Sequence, residues 1–202
     1  DFFISINGSP WRRSIEAERA AAFARWRDIN IPLVFVNQVG GQDELVFDGA
    51  SFAWNSDGTE IQRLPAFEEA LAYSDWQKTG KGWQGKSEQS ASVLKELEAD
   101  WKAMCLALGD YVNKNGFPGV VLGMSGGIDS AISAAIAADA LGPDRVWAVM
   151  MPSKYTSDHS FEDAKACAEA LGVKYDIIDV EPAIAAMGGI LADTFKGRDP
   201  DT

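Results

Sequence analysis

The sequence is poor in several residue types, and each shortage excludes a class of protein. Among 202 residues there are two cysteines and one histidine, His159. A disulfide framework is therefore excluded, and a Ser–His or Cys–His catalytic pair would depend on one residue in a polar loop. Lysine and arginine total 18 against 30 acidic residues, a formal charge of −12. This charge argues against nucleic acid or an anionic membrane as the main partner, because both attract basic patches.

Long apolar runs are also missing. No stretch approaches the roughly 18 apolar residues that cross a bilayer, and no signal peptide is visible. Cys105 falls on an apolar helix face and Cys167 lies among alanines, so we expect two buried thiols in a reducing, cytoplasmic setting. The chain begins at Asp1 inside a strand-like run and not at methionine. We therefore expect an internal fragment of a longer protein, with room for one to two domains.

The first 72 residues predict an α/β layered domain with a hairpin. Asn7–Pro10 has turn chemistry, and Asp57–Gly58 is a strong hairpin signal. The predicted strands are residues 2–6, 33–36, 44–48, 50–55 and 60–64, with a helix over 14–29 that Ser14 would cap and a loop over 37–43. Nothing in this pattern names a reaction.

Residues 73–90 differ in character from the segments on either side. They are polar and aperiodic, contain three glycines, and carry Trp76 and Trp83 in positions that look exposed. We interpret them as a connection between domains. The following residues, 92–115, keep apolar side chains at helical spacing and predict one long helix.

The most informative stretch, the phosphate turn, runs from residue 123 to 130. Its members are Gly123, Met124, Ser125, Gly126, Gly127, Ile128, Asp129 and Ser130. An apolar run at 119–122 predicts a strand before it, and apolar spacing up to Ile136 predicts a helix after it. Small residues let the backbone approach an anion, while successive N–H groups and the helix N-terminus attract it. The pattern therefore predicts a phosphate-binding site.

Asp129 adds a metal to this prediction. A carboxylate beside phosphate would repel it unless a cation lay between them, so we predict Mg²⁺ held by Asp129. The hydroxyls of Ser125 and Ser130 are additional candidate donors to phosphate. No lysine follows the glycines, so the turn is not the usual P-loop, and it does not match G-x-G-x-x-G either.

The rest of the chain predicts half of a doubly wound parallel sheet. Strands at 146–151 and 173–180 alternate with a helix over 160–171, and another helix begins near Pro182. Ser160 with Asp163 resembles a capping box for the first of these helices. A β-α-β-α-β run requires parallel strands with right-handed crossovers.

Three segments resemble known families. Residues 125–130, Ser-Gly-Gly-Ile-Asp-Ser, resemble the S-G-G-x-D-S loop of N-type ATP pyrophosphatases, which release pyrophosphate from ATP while adenylating a substrate. Residues 36–52 resemble the late part of the nitrilase-like glutaminase domain of glutamine-dependent NAD synthetases. Residues 151–157, Met-Pro-Ser-Lys-Tyr-Thr-Ser, resemble a segment of the synthetase domain in the same family. On these blocks the chain is identified as similar to that family.

The resemblance implies a fold, domain limits and an activity. Residues 1–72 would be the C-terminal part of a nitrilase-like α-β-β-α layered domain, and residues 73–90 a linker. Residues 91–202 would be the N-terminal part of the ATP-pyrophosphatase domain, the first half of a doubly wound, adenine nucleotide α-hydrolase-like sheet. The implied enzyme is a C–N ligase that amidates deamido-NAD with ATP and Mg²⁺ through an adenylated intermediate. Glutamine or ammonia supplies the nitrogen, and the protein would be a cytoplasmic homo-oligomer.

The resemblance also implies particular site residues. Asn7–Pro10 resembles an Asn-Ala-Ser-Pro stretch that helps to hold glutamine, which makes Ser9 a glutamine-site candidate. The family often has a basic residue six positions on, where this chain has Ile15; either Arg12 or Arg13 substitutes, or the contact is lost. The family's catalytic Cys, Glu and Lys lie upstream of this serine, so no glutaminase catalytic residue is expected in this chain.

Two further positions follow by analogy with the pyrophosphatase fold. The end of the second strand, near Met150 and Met151, would lie beside adenine. Lys154 is either a cation for phosphate or an exposed surface lysine.

Three alternatives stay open at this point. A GMP or asparagine synthetase would share the phosphate turn, although it would not be expected to carry the Gly-Gly-Gln-Asp block at residues 40–43. A regulatory module could bind ATP without turnover. A scaffold would bind no nucleotide.

Overall fold

The computed structural model describes residues 1–24, 28–80 and 82–198. The chain divides into two compact α/β units, Asp1–Gly116 and Phe117–Thr202. The helices are α1 (Ile15–Ala24), α2 (Glu96–Lys114), α3 (Ile128–Leu141), α4 (Asp158–Leu171) and α5 (Glu181–Leu191). The strands are β1 (Phe3–Asn7), β2 (Leu33–Asn37), β3 (Val39–Gln42), β4 (Leu45–Asp48), β5 (Phe52–Trp54), β6 (Glu60–Arg63), β7 (Asp75–Thr79), β8 (Gly82–Lys86), β9 (Val120–Gly123), β10 (Val146–Met150) and β11 (Lys174–Ile177).

The first unit is built on a mixed sheet of order β1-β2-β5-β6. Strands β1 and β2 are parallel, with α1 between them in sequence, and the two following pairs are antiparallel. An apolar cluster of Leu33, Phe35, Phe52 and Trp54 covers one part of this sheet, and Phe23 of α1 packs against it. The predicted α/β character and the hairpin at residues 57–58 are confirmed. The part of the predicted first helix over residues 25–27 lies outside the described residues.

Residues 37–43, predicted to be a loop, contain a strand. This strand, β3, pairs antiparallel with β4. Two glycines in β3 hide the strand pattern in the sequence, and they are needed because helix α2 lies against them. A Cβ on Gly41 would come within 3.0 Å of the Ala107 Cα. The prediction of a loop was therefore wrong, because close backbone packing and not side-chain alternation defines this strand.

Helix α2 is anchored in the first unit by its last two turns. The Asp110 carboxylate accepts a hydrogen bond from the Gly41 N–H at 2.7 Å, and the Lys114 ammonium donates to the Gly41 carbonyl at 2.7 Å. The boundary between the two units accordingly comes after this helix, between Gly116 and Phe117. From the sequence we expected the second domain to begin before the helix, at residue 91.

The segment 73–90, predicted to be an irregular connection, contains the paired antiparallel strands β7 and β8. Its tryptophans are partly buried and not exposed as expected, because they pack against the start of the chain. The Phe2 ring lies 4.9 Å from the rings of both Trp76 and Trp83, measured between centroids. A glycine at position 85 leaves room for the Trp76 ring, since a Cβ there would lie 2.8 Å from Trp76 Cζ3.

The second unit contains a parallel sheet of order β11-β10-β9. The parallel β-α-β-α-β arrangement predicted from the sequence is therefore confirmed. Helices α3 and α4 pack together through small residues, and Ala134, Ala164 and Ala168 have no exposed surface. Among the residues that the structure describes, no helix has both the length and the apolar character needed to cross a bilayer.

Helix α4 begins earlier than predicted. Its cap is Ser157, whose side chain accepts a hydrogen bond from the Ser160 N–H, and Gly172 ends the helix in the left-handed conformation. The predicted capping box of Ser160 and Asp163 was wrong, because Ser160 already lies inside the first turn. Polar residues at 157 and 160 both fit a cap pattern, so the sequence does not distinguish between them.

The two cap assignments predict different effects of mutation. We expect Ser157→Ala to lower the free energy of unfolding by about 1 kcal/mol, because it removes the side-chain acceptor that caps the first turn of α4 and leaves the Ser160 N–H only the Ser157 carbonyl, at 3.1 Å. Asp163→Ala should change the stability by less than about 0.5 kcal/mol, as expected for a surface position. Denaturant titration of both variants tests the assignment, and a larger loss for Asp163→Ala would contradict it.

Candidate functional site

The phosphate turn lies at the carboxyl end of β9, the place where parallel sheets bind ligands. Met124 is 2% exposed, and its N–H donates to the Val149 carbonyl of β10 at 2.9 Å. The first bond of α3 runs from the Ala131 N–H to the Gly127 carbonyl at 3.1 Å. The strand–turn–helix order predicted from the sequence is therefore present, and the turn is fixed to the sheet at one end and to the helix at the other.

Gly126 is the tightest point of the turn. Its φ of +81° lies in the left-handed region, and a Cβ at this position would lie 2.5 Å from the Ser160 carbonyl oxygen. The turn therefore packs directly against the first turn of α4. Any side chain at position 126 would meet backbone atoms, which cannot rotate away.

Two serine hydroxyls brace the turn from inside. The Ser125 and Ser130 Oγ atoms lie 3.0 Å apart, and the Ser130 hydroxyl donates to the Gly127 carbonyl at 2.9 Å. The Gly127 N–H in turn donates to Ser125 Oγ at 3.2 Å. In this structure both hydroxyls bind atoms of the turn itself, whereas the sequence suggested them as donors to phosphate.

The groups that remain available to a ligand are backbone amides and one carboxylate. The N–H groups of Gly126, Ile128, Asp129 and Ser130 form no hydrogen bond to any described residue. They stand at the positive end of α3, which favours an anion. The exposed Asp129 carboxylate also lacks a hydrogen-bonding partner within the described part of the chain.

The turn opens on a cavity of about 230 Å³ that reaches the end of β10. Its lining combines turn residues with Val149, Met150, Met151 and Thr156. The Tyr175 hydroxyl donates to the Met150 sulfur at 3.3 Å and orients this side chain. Burial raises the pKa of Tyr175, so the hydroxyl keeps its proton. An apolar wall next to a turn whose backbone N–H groups lack internal partners suits a base attached to phosphates.

The loop after β10 forms one border of this cavity. The Lys154 N–H donates to the Glu181 carboxylate of α5 at 2.7 Å, while its ammonium lies 5.0 Å from the centre of the exposed Tyr155 ring. His159, expected in a polar loop, is exposed and lies in the first turn of α4.

In the first unit, Ser9 lies in a short turn after β1, the Ser9 turn (residues 7–11). The Asn37 side chain holds its backbone from both sides. The Ser9 N–H donates to Asn37 Oδ1 at 2.8 Å, and Asn37 Nδ2 donates to the Ser9 carbonyl at 3.1 Å. Asn37 is the last residue of β2 and stands opposite Asn7 in the parallel register.

A buried ion pair lies behind this contact. Both terminal nitrogens of Arg19 donate to the Asp48 carboxylate, at 2.6 and 2.8 Å, and one of them also donates to the Ser9 carbonyl at 3.3 Å. Arg19 is 5% exposed and Asp48 is 2% exposed. A bidentate pair of this kind fixes the geometry of everything bonded to it.

The other basic candidates near Ser9 bind acidic side chains on the surface. Arg12 pairs with Glu18, and Arg13 donates to Asp100 at 3.1 Å. Ile15 is 5% exposed and packs in the interior. Cys105 and Cys167 are partly exposed and not buried as expected.

Comparison with known proteins places this geometry in a family. The NAD synthase family model matches residues 100–198, which include the phosphate turn. Residues 100–198, just under half of the chain, belong to the NAD synthase family. The glutamine-dependent NAD(+) synthetase of Rhodobacter capsulatus is 45% identical over 196 residues, or 96% of this chain. That of Acinetobacter baylyi is 42% identical over 197 residues, or 97% of this chain.

A solved NAD synthetase supports the same relationship in three dimensions. The glutamine-dependent NAD+ synthetase from Acinetobacter baumannii, in complex with adenosine diphosphate, has a TM-score of 0.91 and 37% identity over 98% of this chain. The chain spans 36% of the length of the two curated relatives and 38% of the solved one.

Sequence reasoning missed the network around Ser9. Asn37, Arg19 and Asp48 are distant in sequence, and their types alone indicate surface polar residues. The sequence did contain a weak signal of this ion pair. Asp48 ends a strand and Arg19 lies on an alanine-rich helix, and a charged residue that is buried in such an element needs a partner of opposite charge.

Proposed function

We propose that the protein carrying this chain is a glutamine-dependent NAD(+) synthetase, a C–N ligase. The nicotinate carboxylate of deamido-NAD attacks the α-phosphorus of ATP, which forms an adenylated intermediate and releases pyrophosphate. Ammonia from glutamine then displaces AMP and forms the amide of NAD. The single observation that carries this proposal is the phosphate turn, whose N–H groups have no partner among the described residues, in a chain related to such synthetases over 96% of its length.

The chemistry of the first step suits the residues at this turn. A carboxylate nucleophile is already ionised and needs no general base, which fits a site formed by backbone amides. The N–H groups of residues 126 and 128–130 would hold the departing β- and γ-phosphates, and the positive end of α3 would stabilise their charge. The cavity wall at Met150 and Met151 would contact adenine.

Asp129 fits a magnesium site of the kind that substrate phosphates complete. Among the described residues no group of three or more His, Cys, Asp or Glu side chains converges. One exposed carboxylate without an internal partner is nevertheless sufficient, because Mg²⁺ in phosphate sites keeps several waters and takes one or two protein carboxylates. When bound at Asp129, the ion would offset negative charge on the phosphate oxygens.

The first unit would supply the glutamine side of the reaction. We propose that residues 1–72 form the C-terminal part of a nitrilase-like α-β-β-α layered domain, with Ser9 in contact with glutamine. Residues 91–202 would form the first part of a doubly wound, adenine nucleotide α-hydrolase-like domain. The proposal is supported by the parallel β1–β2 pair, at whose carboxyl end Ser9 lies.

The test is pyrophosphate release by the full-length protein carrying this chain, supplied with ATP, Mg²⁺ and ammonia. Deamido-NAD, xanthosine monophosphate and aspartate are compared as acceptors. We expect release with deamido-NAD alone. Release with another acceptor would indicate a different synthetase, and no release with any acceptor would indicate a nucleotide-binding module or a scaffold.

Asp129→Ala tests the metal role in the same assay. We expect pyrophosphate release to fall by at least about a hundredfold, because the phosphate charge loses its cation. Hydrolysis of glutamine should stay detectable. Asp144→Ala is the matched control, since it removes an exposed carboxylate just beyond the opposite end of α3. Normal ATP-dependent turnover by Asp129→Ala would contradict the assignment.

We further propose a cytoplasmic homo-oligomer that binds neither nucleic acid nor membranes. The net charge of −12 supports the absence of polyanionic partners. A monomer in sedimentation analysis, or the protein in a membrane fraction, would contradict these points.

A further inference from the structure

We propose that Asn37 is a positioning residue of the glutamine site, acting through the backbone of Ser9. This inference rests on the proposed function, because it assumes that Ser9 contacts glutamine. Asn37 is 6% exposed and its amide is committed to internal partners. Its role is therefore to set the direction of the Ser9 side chain.

The contact resembles one step of a β-ladder made by a side chain. One amide group accepts from the Ser9 N–H at 2.8 Å and donates to the Ser9 carbonyl at 3.1 Å. Two opposed hydrogen bonds to one residue restrain both of its peptide planes. The orientation of the Cα–Cβ bond is then fixed as well, because it follows from the backbone.

The amide is itself held in one orientation. Asn37 Nδ2 also donates to Asp48 Oδ1 at 3.2 Å, and the Asn37 N–H donates to Ser51 Oγ at 3.0 Å. Exchanging the amide oxygen and nitrogen would place an oxygen against the Asp48 carboxylate and a donor against the Ser9 N–H. Both contacts would be repulsive, so the network assigns the orientation.

The Ser9 turn depends on this amide in its middle. At one end the Gln38 N–H donates to the Asn7 carbonyl at 3.0 Å, and at the other the Trp11 N–H donates to the Val46 carbonyl at 2.7 Å. The Ser9 hydroxyl forms no hydrogen bond to a described residue. Its direction is therefore set through the backbone, and it stays available to an external ligand.

The charge of the network explains why an amide stands at position 37. Asp48 needs donors on its oxygens, and Arg19 and Asn37 supply them. An aspartate at position 37 would place a second carboxylate against Asp48 and against the Ser9 carbonyl. It would keep the oxygen that accepts from the Ser9 N–H and lose the N–H that donates to the Ser9 carbonyl. The variant therefore tests these two hydrogen bonds separately.

The experiment measures the full-length protein carrying this chain, with Asn37→Asp and the neutral, shorter Asn37→Ser. For Asn37→Ser we expect the KM for glutamine to rise about tenfold in glutamine-supported NAD formation, the effect of about one lost hydrogen bond. Asn37→Asp should raise it further, because the added carboxylate also repels Asp48. The kcat and KM with ammonia as the nitrogen source should stay unchanged. Gln62→Glu is the matched control, because it alters a buried amide that donates to the Tyr73 carbonyl at 3.0 Å and not to Ser9.

A double-mutant cycle shows whether Asn37 acts through Ser9. In the background of Ser9→Ala, Asn37→Asp should cause no further rise in the KM for glutamine. Additive effects would show that Asn37 acts by another route and would overturn the proposal. An equal loss of glutamine- and ammonia-supported activity, or the same rise in Gln62→Glu, would also overturn it, since the effect would then be general.

Hydrogen exchange separates this inference from the proposed function. The Ser9 amide, protected by Asn37 Oδ1, should exchange at least about tenfold faster in Asn37→Ser, whatever the substrate of the protein. Unchanged exchange at Ser9 would overturn the positioning role. In a third outcome, the wild-type protein uses ammonia but not glutamine, and the Ser9 amide still exchanges faster in Asn37→Ser. That result would overturn the assignment of Ser9 to a glutamine site and would leave the backbone contact between Asn37 and Ser9 established.

Discussion

Gly126→Ala is expected to reduce pyrophosphate release about a hundredfold and to lower the free energy of unfolding by about 2–4 kcal/mol. The φ of residue 126 is +81°, and the added Cβ would lie 2.5 Å from the Ser160 carbonyl oxygen and 2.8 Å from the Ser160 Cα. Backbone atoms cannot rotate away, so either α4 or the turn must shift. The shift would move the N–H groups that are proposed to hold the phosphates.

Gly172→Ala is the matched control for this variant. Its φ of +68° is also left-handed, but the nearest atom to its Cβ would be Pro143 Cβ, at an ordinary 3.9 Å. We expect a loss of only about 1 kcal/mol and normal turnover. Thermal unfolding and a pyrophosphate assay on both variants separate two effects: the free-energy cost of a side chain at a positive φ, and the cost of the steric contact with Ser160. Equal losses in the two variants would contradict the close-packing argument.

Arg19→Ala is expected to lower the free energy of unfolding by about 3–5 kcal/mol, the usual cost of leaving one member of a buried ion pair alone. Arg19 and Asp48 are 5% and 2% exposed, and the Asp48 carboxylate would lose both of its guanidinium donors. This is a large fraction of the stability of an ordinary domain. Denaturant unfolding monitored by tryptophan fluorescence measures the loss.

Two further variants show whether burial causes this cost. Lys102→Ala breaks an exposed ion pair, in which Lys102 Nζ lies 2.8 Å from Glu68 Oε1. This variant should lower the free energy of unfolding by less than about 1 kcal/mol. The double variant Arg19→Met with Asp48→Leu removes both charges and should be more stable than Arg19→Ala. A double variant that is less stable than the single one would show that packing, and not an uncompensated charge, dominates.

The order of strands and helices in the second unit could be predicted from the sequence. Strands β9 and β10 are short apolar runs bounded by glycine and proline, and helices α3 and α4 have regular apolar spacing, so local pattern and tertiary structure agree there. Strand β11 alternates charged and apolar residues and ends at Ile177, three residues before the predicted end at 180. The phosphate turn belongs to this class because its chemistry is contained in eight consecutive residues. Helix α4 shows the limit, since two serines within three residues both fitted a cap and only the backbone distinguished Ser157.

The first unit was harder to predict because its decisive contacts are long-range. Strand β3 exists because helix α2 packs against its glycines, and the β7–β8 hairpin is covered by Phe2 from the other end of the unit. The partners Asn37 and Ser9 are 28 residues apart. A single sequence gives no measure of such separations, so a polar residue that lies in the interior is indistinguishable from one on the surface.

The serine pair inside the phosphate turn bears on the thermodynamics of ligand binding. Because Ser125 and Ser130 bind each other and the backbone around Gly127, the turn has one shape before any anion arrives. The conformational entropy of these residues is lost when the chain folds, and little of it remains to be lost on association. Affinity at this turn can therefore come from a few backbone amides, without a lysine among them.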